Sequence, residues 1–282
     1  MKFALISDTH IKASPMMFMQ QQGYPEKLSC LLPLLSEELK KDGAEFLLHN
    51  GDIIDSTSIE AIEEAKKLFS QLYIPVYLTF GNHDVTLPNS LELWQNYGSF
   101  FFPDRSPEYT IAKDKLRIHV VTTHWETTPY YWATKQNAHF LEERILSLRK
   151  SIGSEPDCYH ILLTHSPVFA IPDEQTGLGD GYHNPGQAFT ETVTTLSNEF
   201  PQLKCVLSGH NHINSHRLNS GVSYVSASSF SECPFEYKLF EFSDGKLSME
   251  TKNIFDKVTF PATYNFNKTF VQGRQKDRSF KN

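Results

Sequence analysis

The segment Lys204–His212, KCVLSGHNH, joins a short apolar run to a glycine and two histidines. Residues 204–208 have the length and composition of a buried β-strand. Gly209 permits a sharp turn, which would point His210 and His212 out of the carboxyl end of that strand. Two imidazoles beside a tight turn form either a polar loop or a ligand site. The choice depends on which residues stand at the ends of the other strands.

Four other predicted strands also end in polar residues. These strands are KFALIS, AEFLLHN, PVYLTF and CYHILLT, and the residues that follow or end them are Asp8 and His10, Gly51 and Asp52, the run Gly81–Asp84, and His165. In open α/β sheets, sites form outside the carboxyl ends of the strands. We therefore expect the five polar groups to converge on one site.

Imidazole nitrogens, carboxylate oxygens and an amide oxygen are ligands of zinc, manganese and iron. The chain offers enough of them for two ions. One ion would be bound by Asp8, His10, Asp52 and His212, and the other by Asp52, Asn82, His165 and His210. Asp52 would bridge two ions that lie roughly 3.5–4 Å apart. Two dications and two carboxylates leave a charge of about +2, which suits a bound phosphate group.

His83 and Asp84 lie beside this ligand set without belonging to it. A histidine next to a metal-activated nucleophile can donate a proton or stabilise charge, and Asp84 would orient it. We expect a hydroxide held between the ions to attack phosphorus, with His83 protonating the leaving alkoxide. Alternatively, His83 only shapes the phosphate pocket.

In chain order, the motifs D-x-H, G-D, G-N-H-D, a single histidine and G-H-x-H resemble those of the calcineurin-like metallophosphoesterase superfamily. They span residues 8–212, which is most of the chain. G-D alone is uninformative, but five ordered motifs at strand ends are specific. The resemblance implies an α/β fold, a four-layer αββα sandwich with two mixed β-sheets, and a dinuclear iron, manganese or zinc centre. The G-N-H-D and G-H-x-H forms are most similar to the class III cyclic-nucleotide phosphodiesterases, a catalytically promiscuous branch.

The rest of the sequence predicts one domain over residues 1–260. Helical patterns follow the first two strands, with Gly43 ending the first helix and the pair Thr57 and Glu60 capping the second. After the second histidine of G-H-x-H the pattern is one of strands joined by tight turns. Residues 261–282 are polar and are expected to form an irregular, loosely held tail.

Two further segments are candidates for substrate contact. They are His124–Glu126, after the strand RIHVV, and the glycine-rich segment 177–187, which offers Asp180, Tyr182 and His183. A plain surface loop is an equally good interpretation of either segment.

The amino-acid composition disfavours some of the possible functions. The formal net charge of −7 argues against a broad nucleic-acid-binding surface and so disfavours a nuclease. The favoured substrate is a small phosphodiester, similar to a cyclic nucleotide, or a phosphomonoester. A phosphoprotein phosphatase and a non-catalytic scaffold with this fold are the alternatives. The cysteines show no pairing pattern, and we find neither a signal-peptide pattern nor a stretch long enough to cross a bilayer. We therefore expect a cytoplasmic protein with reduced thiols and no membrane partner.

Overall fold

The structure, a computed structural model, describes residues 1–15, 18, 20–176 and 183–281. Its strands are β1 Lys2–Ile6, β2 Leu47–His49, β3 Val76–Leu78, β4 Tyr109–Lys113, β5 Leu116–Val120, β6 Tyr159–Leu163, β7 Leu203–Ser208, β8 Ser215–Asn219, β9 Val222–Ser226, β10 Glu236–Ser243, β11 Lys246–Asn253 and β12 Ser279–Lys281. Its α-helices are α1 Leu28–Asp42, α2 Ile59–Phe69, α3 Ser90–Tyr97, α4 Glu142–Ser154, α5 Asp173–Thr176, α6 Gln187–Glu199 and α7 Gln275–Arg278.

The strands form two six-stranded sheets. The first has the order β12-β11-β10-β1-β2-β3, in which β1, β2 and β3 are parallel and the other neighbours pair antiparallel. The second has the order β4-β5-β6-β7-β9-β8, with four parallel strands between antiparallel edges. Both sheets are therefore mixed, as the resemblance implied.

The alternation of side chains along β1 separates the layers. Phe3 and Leu5 join the core between the two sheets, whereas Ala4 and Ile6 join the core under α1, α2 and α3. A third core lies between the second sheet and helices α4 and α6. The order helix, sheet, sheet, helix confirms the expected four-layer sandwich, because each sheet buries apolar side chains on both faces.

Local signals locate the helix ends to within a residue. Gly43 ends α1 in the left-handed conformation, with a φ of 74°, as predicted. The predicted cap of α2 is one residue early, since the Ser58 hydroxyl accepts the N–H of Ala61 at 3.1 Å. The Thr57 hydroxyl instead donates to the carbonyl of Asp84 at 2.9 Å. Thr57 therefore serves the loop after β3 rather than the helix.

The expectation of a loosely held tail over residues 261–282 is wrong for the residues described. Residues 266–272 form 3₁₀ turns, α7 follows, and β12 pairs antiparallel with β11. Asp277 is fully buried, and its carboxylate accepts the backbone N–H of His216 at 2.8 Å and that of Arg274 at 2.7 Å. The polar composition was misleading because these side chains hydrogen-bond to buried backbone rather than to solvent.

None of the described helices is both long enough and apolar enough to cross a lipid bilayer. The four cysteines are unpaired, as expected, and three of them are buried. Burial raises the pKa of Cys233 to about 12, so that thiol stays protonated and unreactive at neutral pH.

Replacing Asp277 with alanine should lower the free energy of unfolding by about 1–3 kcal/mol, because two backbone N–H groups lose their acceptor. Urea denaturation followed by circular dichroism measures this change. The exposed Asp256 provides a matched control, and Asp256→Ala should change stability by less than about 0.5 kcal/mol. Equally small effects in both variants would restore the interpretation of a loose tail.

Candidate metal centre

The side chains predicted to bind metal converge at the carboxyl ends of the parallel strands. They form two clusters, within each of which the possible ligand atoms lie within 4.8 Å of one another. The first cluster contains Asp8, His10 and His212, and the second contains Asp52, His165 and His210. The division matches the predicted split into two ligand sets, with Asn82 still to be placed.

One carboxylate of each cluster also lies close to a histidine of the other cluster. Asp52 Oδ2 is 3.2 Å from His165 Nε2 in its own cluster and 3.8 Å from His10 Nε2 in the other. Asp8 Oδ1 is 3.5 Å from His212 Nε2 and 3.9 Å from His165 Nε2. Asp52 therefore lies where the sequence hypothesis requires a bridging ligand, and Asp8 approaches both clusters as well.

Asn82 lies at the edge of the second cluster. It lines the same cavity as His210, and its Nδ2 donates to Gln136 at 3.1 Å. Its backbone carbonyl accepts the indole N–H of Trp132 at 2.7 Å. Its Oδ1 is shielded from solvent and has no hydrogen-bond partner among the described residues. The amide oxygen of Asn82 is therefore available to bind a cation.

The backbone at the ligands is strained. Five of the seven predicted ligands have a positive φ, between 45° and 71°, and they are Asp8, His10, Asp52, His210 and His212. The left-handed region costs a non-glycine residue on the order of 1–2 kcal/mol. Residues held there cluster at functional sites, where the surrounding structure fixes them.

Two glycines allow the loops to approach one another closely. A Cβ atom on Gly81 would collide with the carboxylate and the backbone N of Asp52. A Cβ atom on Gly209 would collide with Ser7 Oγ and lie 2.7 Å from Asp8 Oδ2. Glycine is needed at both positions because a ligand loop from another strand occupies the space that a side chain would fill.

Asp84 does not occupy its predicted place beside the imidazole of His83. It is fully buried, and its carboxylate accepts the backbone N–H groups of Asp52 at 2.7 Å, Ile53 at 3.1 Å and Gly81 at 2.8 Å. Burial, reinforced by the charge of Asp52, raises its pKa to about 7. The orienting role assigned to Asp84 is therefore wrong, because the 3₁₀ turn at residues 83–85 sends adjacent side chains in different directions. Asp84 instead ties the G-D loop to the G-N-H-D loop.

Asp55, which sequence reasoning missed, is the partner of His83. The His83 Nδ1–H donates to the Asp55 carbonyl at 2.6 Å, and the Asp55 Oδ1 lies 3.6 Å from the same nitrogen. Oδ1 also lies 3.7 Å from His10 Nδ1. The signal that could have found it is a second carboxylate three residues after Asp52, in GDIID.

Two ligand histidines are oriented by hydrogen bonds on the far side of the ring. The His212 Nδ1–H donates to Glu232 Oε1 at 2.5 Å, and the His165 Nδ1–H donates to the Asn50 carbonyl at 2.6 Å. Each bond occupies Nδ1 and turns Nε2 toward the cluster. Such outer partners are typical of metal-binding histidines. Glu232 carried no sequence signal, because it lies in the irregular loop after β9.

Four atoms of the predicted ligands are shielded from solvent without a hydrogen-bond partner among the described residues. They are Asp8 Oδ1, Asn82 Oδ1, His165 Nε2 and His210 Nδ1. A buried polar atom without a partner costs about 1–3 kcal/mol. Oxygen and imidazole donors of this kind fit manganese, iron or zinc, and a bound cation would satisfy all four.

The two carboxylates are ionised, whereas the histidines differ in protonation state. Burial alone would raise the pKa of Asp8, but His212 and His165 lower it to about 2. Burial is likewise outweighed at Asp52, where neighbouring histidines hold the pKa well below its usual value. Burial lowers the pKa of His210 well below its usual value, so its ring is neutral. At His165 and His212, neighbouring carboxylates outweigh burial and raise the pKa, to about 9 for His165 and well above the usual value for His212. Metal binding requires neutral imidazoles, so bound cations would displace a proton from each of these two rings.

The clusters open into a cavity of about 190 Å³. Phe18, Asp55, His83, Gln136 and His183 complete its lining. The cavity is smaller than the roughly 300–1,000 Å³ of typical ligand sites, so it suits a small group such as phosphate.

The two candidate substrate-contact segments behave differently. His124 is buried against Tyr130, away from the cavity, and the Trp125 ring packs 5.1 Å from that of His210. In the second segment, His183 lines the cavity, with its ring 4.9 Å from that of His210. Asp180 and Tyr182 lie outside the described residues.

Comparisons with known proteins bear on the family and the fold. A family model, calcineurin-like phosphoesterase, matches residues 1–214. A probable glycerophosphodiester phosphodiesterase from Arcobacter nitrofigilis is 23% identical over 225 residues, which cover 79% of this chain and 76% of the relative. A dimetal phosphatase from Danio rerio shares the fold with a TM-score of 0.68 and 14% identity, over 89% of this chain and 96% of that one. GAP50, the anchor in the inner membrane complex of Plasmodium, has a TM-score of 0.61 and 11% identity, over 94% and 87% of the two chains.

Asn82→Ala should remove a ligand from the second cluster only. Elemental analysis of protein equilibrated with Mn²⁺ should then fall from about two ions per chain to about one. Asn96→Ala, at an exposed position on α3, is the matched control and should leave the metal content unchanged. Full occupancy in Asn82→Ala would refute the proposed split of ligands.

Proposed function

This chain belongs to the calcineurin-like phosphoesterase family, and we propose that it hydrolyses a small phosphodiester or phosphomonoester with the help of two metal ions. The family makes it a phosphoester hydrolase, and the proposal concerns the metals and the substrate. The observation that carries the proposal is the pair of adjacent ligand clusters, with Asp52 Oδ2 within 3.8 Å of a histidine from each. A shared carboxylate between two ligand sets is typical of two-metal hydrolases.

One ion would be held by Asp8, His10, Asp52 and His212, and the other by Asp52, Asn82, His165 and His210. The oxygen and nitrogen donors fit iron, manganese or zinc. When bound, the two ions would lower the pKa of a water molecule and neutralise charge on the phosphate oxygens.

The protein itself supplies the proton for the leaving group. Because the His83 Nδ1–H is held by the Asp55 carbonyl, Nε2 is left for the cavity that the ring lines. A protonated His83 can donate from Nε2 to an alkoxide, as a general acid does. The His83 backbone N–H also donates to Asp52 Oδ1 at 2.8 Å, which fixes the ring relative to both clusters. Asp55 acts as a positioning residue.

A small diester is the favoured substrate. The relative from Arcobacter is named as a probable phosphodiesterase, which supports a diester for this chain. The net charge of −7 argues against a nucleic acid, because binding many phosphates requires clustered cations.

A non-catalytic scaffold is the second candidate, since the fold neighbour GAP50 is described as an anchor. The scaffold interpretation gives no reason for the unpartnered ligand atoms or for the left-handed backbone at five predicted ligands. Both features are costly to stability and are explained by a cation site.

Turnover of bis(nitrophenyl) phosphate tests the proposed function. Protein loaded with Mn²⁺ should release nitrophenol, the chelated protein should not, and adding the metal back should restore the rate. Asp52→Asn should abolish turnover, whereas the exposed Asp256→Asn should match the wild type. Protein that binds two ions yet releases no nitrophenol from this diester or from nitrophenyl phosphate would favour the scaffold.

His83→Ala should keep both metals but lower kcat by roughly 10²–10⁴-fold for substrates with an alkoxide leaving group, which needs a proton. The loss should shrink when the leaving group is nitrophenolate, which needs none. Asp55→Asn should show the same pattern with a smaller loss, because it removes the carboxylate charge near the ring but keeps the backbone carbonyl that accepts from Nδ1. Steady-state kinetics over a series of leaving groups measures the effect, and metal analysis of each variant is the control. A loss that is uniform across leaving groups would remove the general-acid role.

A further inference from the structure

A second recess adjoins the metal cavity. It is a groove of about 500 Å³, and Phe18 lines both spaces. The Phe18 ring stands edge-on to that of His10 at 5.8 Å and lies 5.9 Å from that of His212. Because the metal cavity is small, any part of a substrate larger than phosphate must extend out of it. This groove offers one such path, starting at the first ligand cluster.

The lining of the groove is mostly uncharged and rich in hydrogen-bonding groups. Five carboxamide residues contribute to it, namely Gln20, Gln21, Gln22, Asn265 and Asn267. Among the described residues of the lining, Lys268 alone carries a charge at neutral pH. Gln20 and Gln21 are buried, and the Gln21 side chain is hydrogen-bonded within the wall. The exposed carboxamides of Gln22, Asn265 and Asn267 offer a ligand both donors and acceptors, which suits hydroxyls and heterocycles better than a charged or purely apolar group.

An aromatic surface completes the groove. The Phe266 ring is 79% exposed and stands edge-on to the Tyr264 ring at 5.0 Å. An exposed ring beside a site can stack on a planar group or cover an apolar face of a ligand.

Hydrogen bonds connect the far wall of the groove to a metal ligand. Glu232 accepts from His212 through Oε1 and from the backbone N–H of Gln21, at 2.7 Å, through Oε2. The Gln21 side chain donates to the carbonyls of Asn265 and Lys268, both at 3.1 Å, and accepts the Asn265 N–H at 2.9 Å. The wall therefore holds a fixed position relative to the first cluster.

The far wall, residues 263–268, lies outside the family match, which ends at residue 214. The predicted metal ligands all lie within that match. The predicted metal ligands and the far wall of the groove therefore lie in different parts of the chain. The segment after β11 contributes to the groove and contributes no predicted ligand.

We propose that this groove binds the second alcohol arm of a phosphodiester and selects an uncharged arm with several hydrogen-bonding groups. The inference rests on the proposed function. In the reaction, water adds to phosphorus, the bond from phosphorus to the leaving oxygen breaks, and the leaving alcohol departs with a proton. The arm in the groove stays attached to the phosphate.

A series of nitrophenyl phosphodiesters with a common leaving group tests the proposal. The second arm is ethyl, carboxyethyl, dihydroxypropyl or thymidine, and release of nitrophenol by the Mn²⁺-loaded protein gives kcat/KM for each. The dihydroxypropyl or the thymidine ester should exceed both others by at least about fivefold, the effect of one or more added hydrogen bonds. The larger of the two identifies the arm as a polyol or a nucleoside.

Asn267→Ala and Phe266→Ala each change an exposed residue of the groove. Each should raise KM for the preferred ester and so remove the preference, while kcat/KM for the ethyl ester stays within about twofold of the wild type. Asn96→Ala on α3 should retain the preference. Equal rates for all arms, or a preference that survives in both groove variants, would overturn the assignment of the groove. If the wild type hydrolyses none of the esters, the proposed function is contradicted as well. If it hydrolyses all of them without a preference among the second arms, only the role of the groove is contradicted.

Discussion

The architecture depends on one electrostatic constraint, which is the crowding of carboxylates and imidazoles from separate strand ends within a few ångströms of one another. His10 Nε2 and His212 Nε2 lie 3.1 Å apart, and His212 Nε2 lies 3.5 Å from Asp8 Oδ1. The hydrogen bond from His212 Nδ1 to Glu232 keeps the other nitrogen turned inward. Other atoms of this group, such as Asn82 Oδ1 and His210 Nδ1, are buried without a hydrogen-bond partner among the described residues, a cost that bound cations would remove.

The rest of the molecule holds these groups in place. Buried Asp84 links the loops after β2 and β3 through backbone N–H groups, so that the two turns are held against each other. Gly81 and Gly209 leave room for neighbouring carboxylates, and the strained backbone is fixed by the sheets behind it. The two-sheet sandwich is thus a rigid support for short loops whose backbone is strained. Sites built on rigid elements hold their side chains more precisely than sites on free loops.

The sequence predicted much of this, and the gaps have physical reasons. Strand-end motifs are local patterns, so the side chains that converge there could be named in advance and the sandwich expected. The orientation of a side chain is not local, which is why Asp84 was wrongly placed beside His83 and Asp55 was missed. Glu232 reaches His212 only through the fold, since no periodic or spacing signal joins them.

The C-terminal residues show the same limit. Their polarity resembles that of a disordered end, yet Asp277 is buried among backbone donors and β12 completes a sheet. Composition records which groups a segment contains but not which groups they meet. The same segment supplies the wall of the groove beside the metal cavity, so the misread residues are those to which we assign substrate selectivity.

The central claim is that side chains from five strand ends surround a pair of adjacent cations. Anomalous diffraction from crystals soaked in Mn²⁺ tests it most directly. We predict two anomalous peaks roughly 3.5–4 Å apart, with Asp52 between them, one beside His10 and His212 and the other beside His165 and His210. A single peak, or two peaks that share no carboxylate, would contradict it.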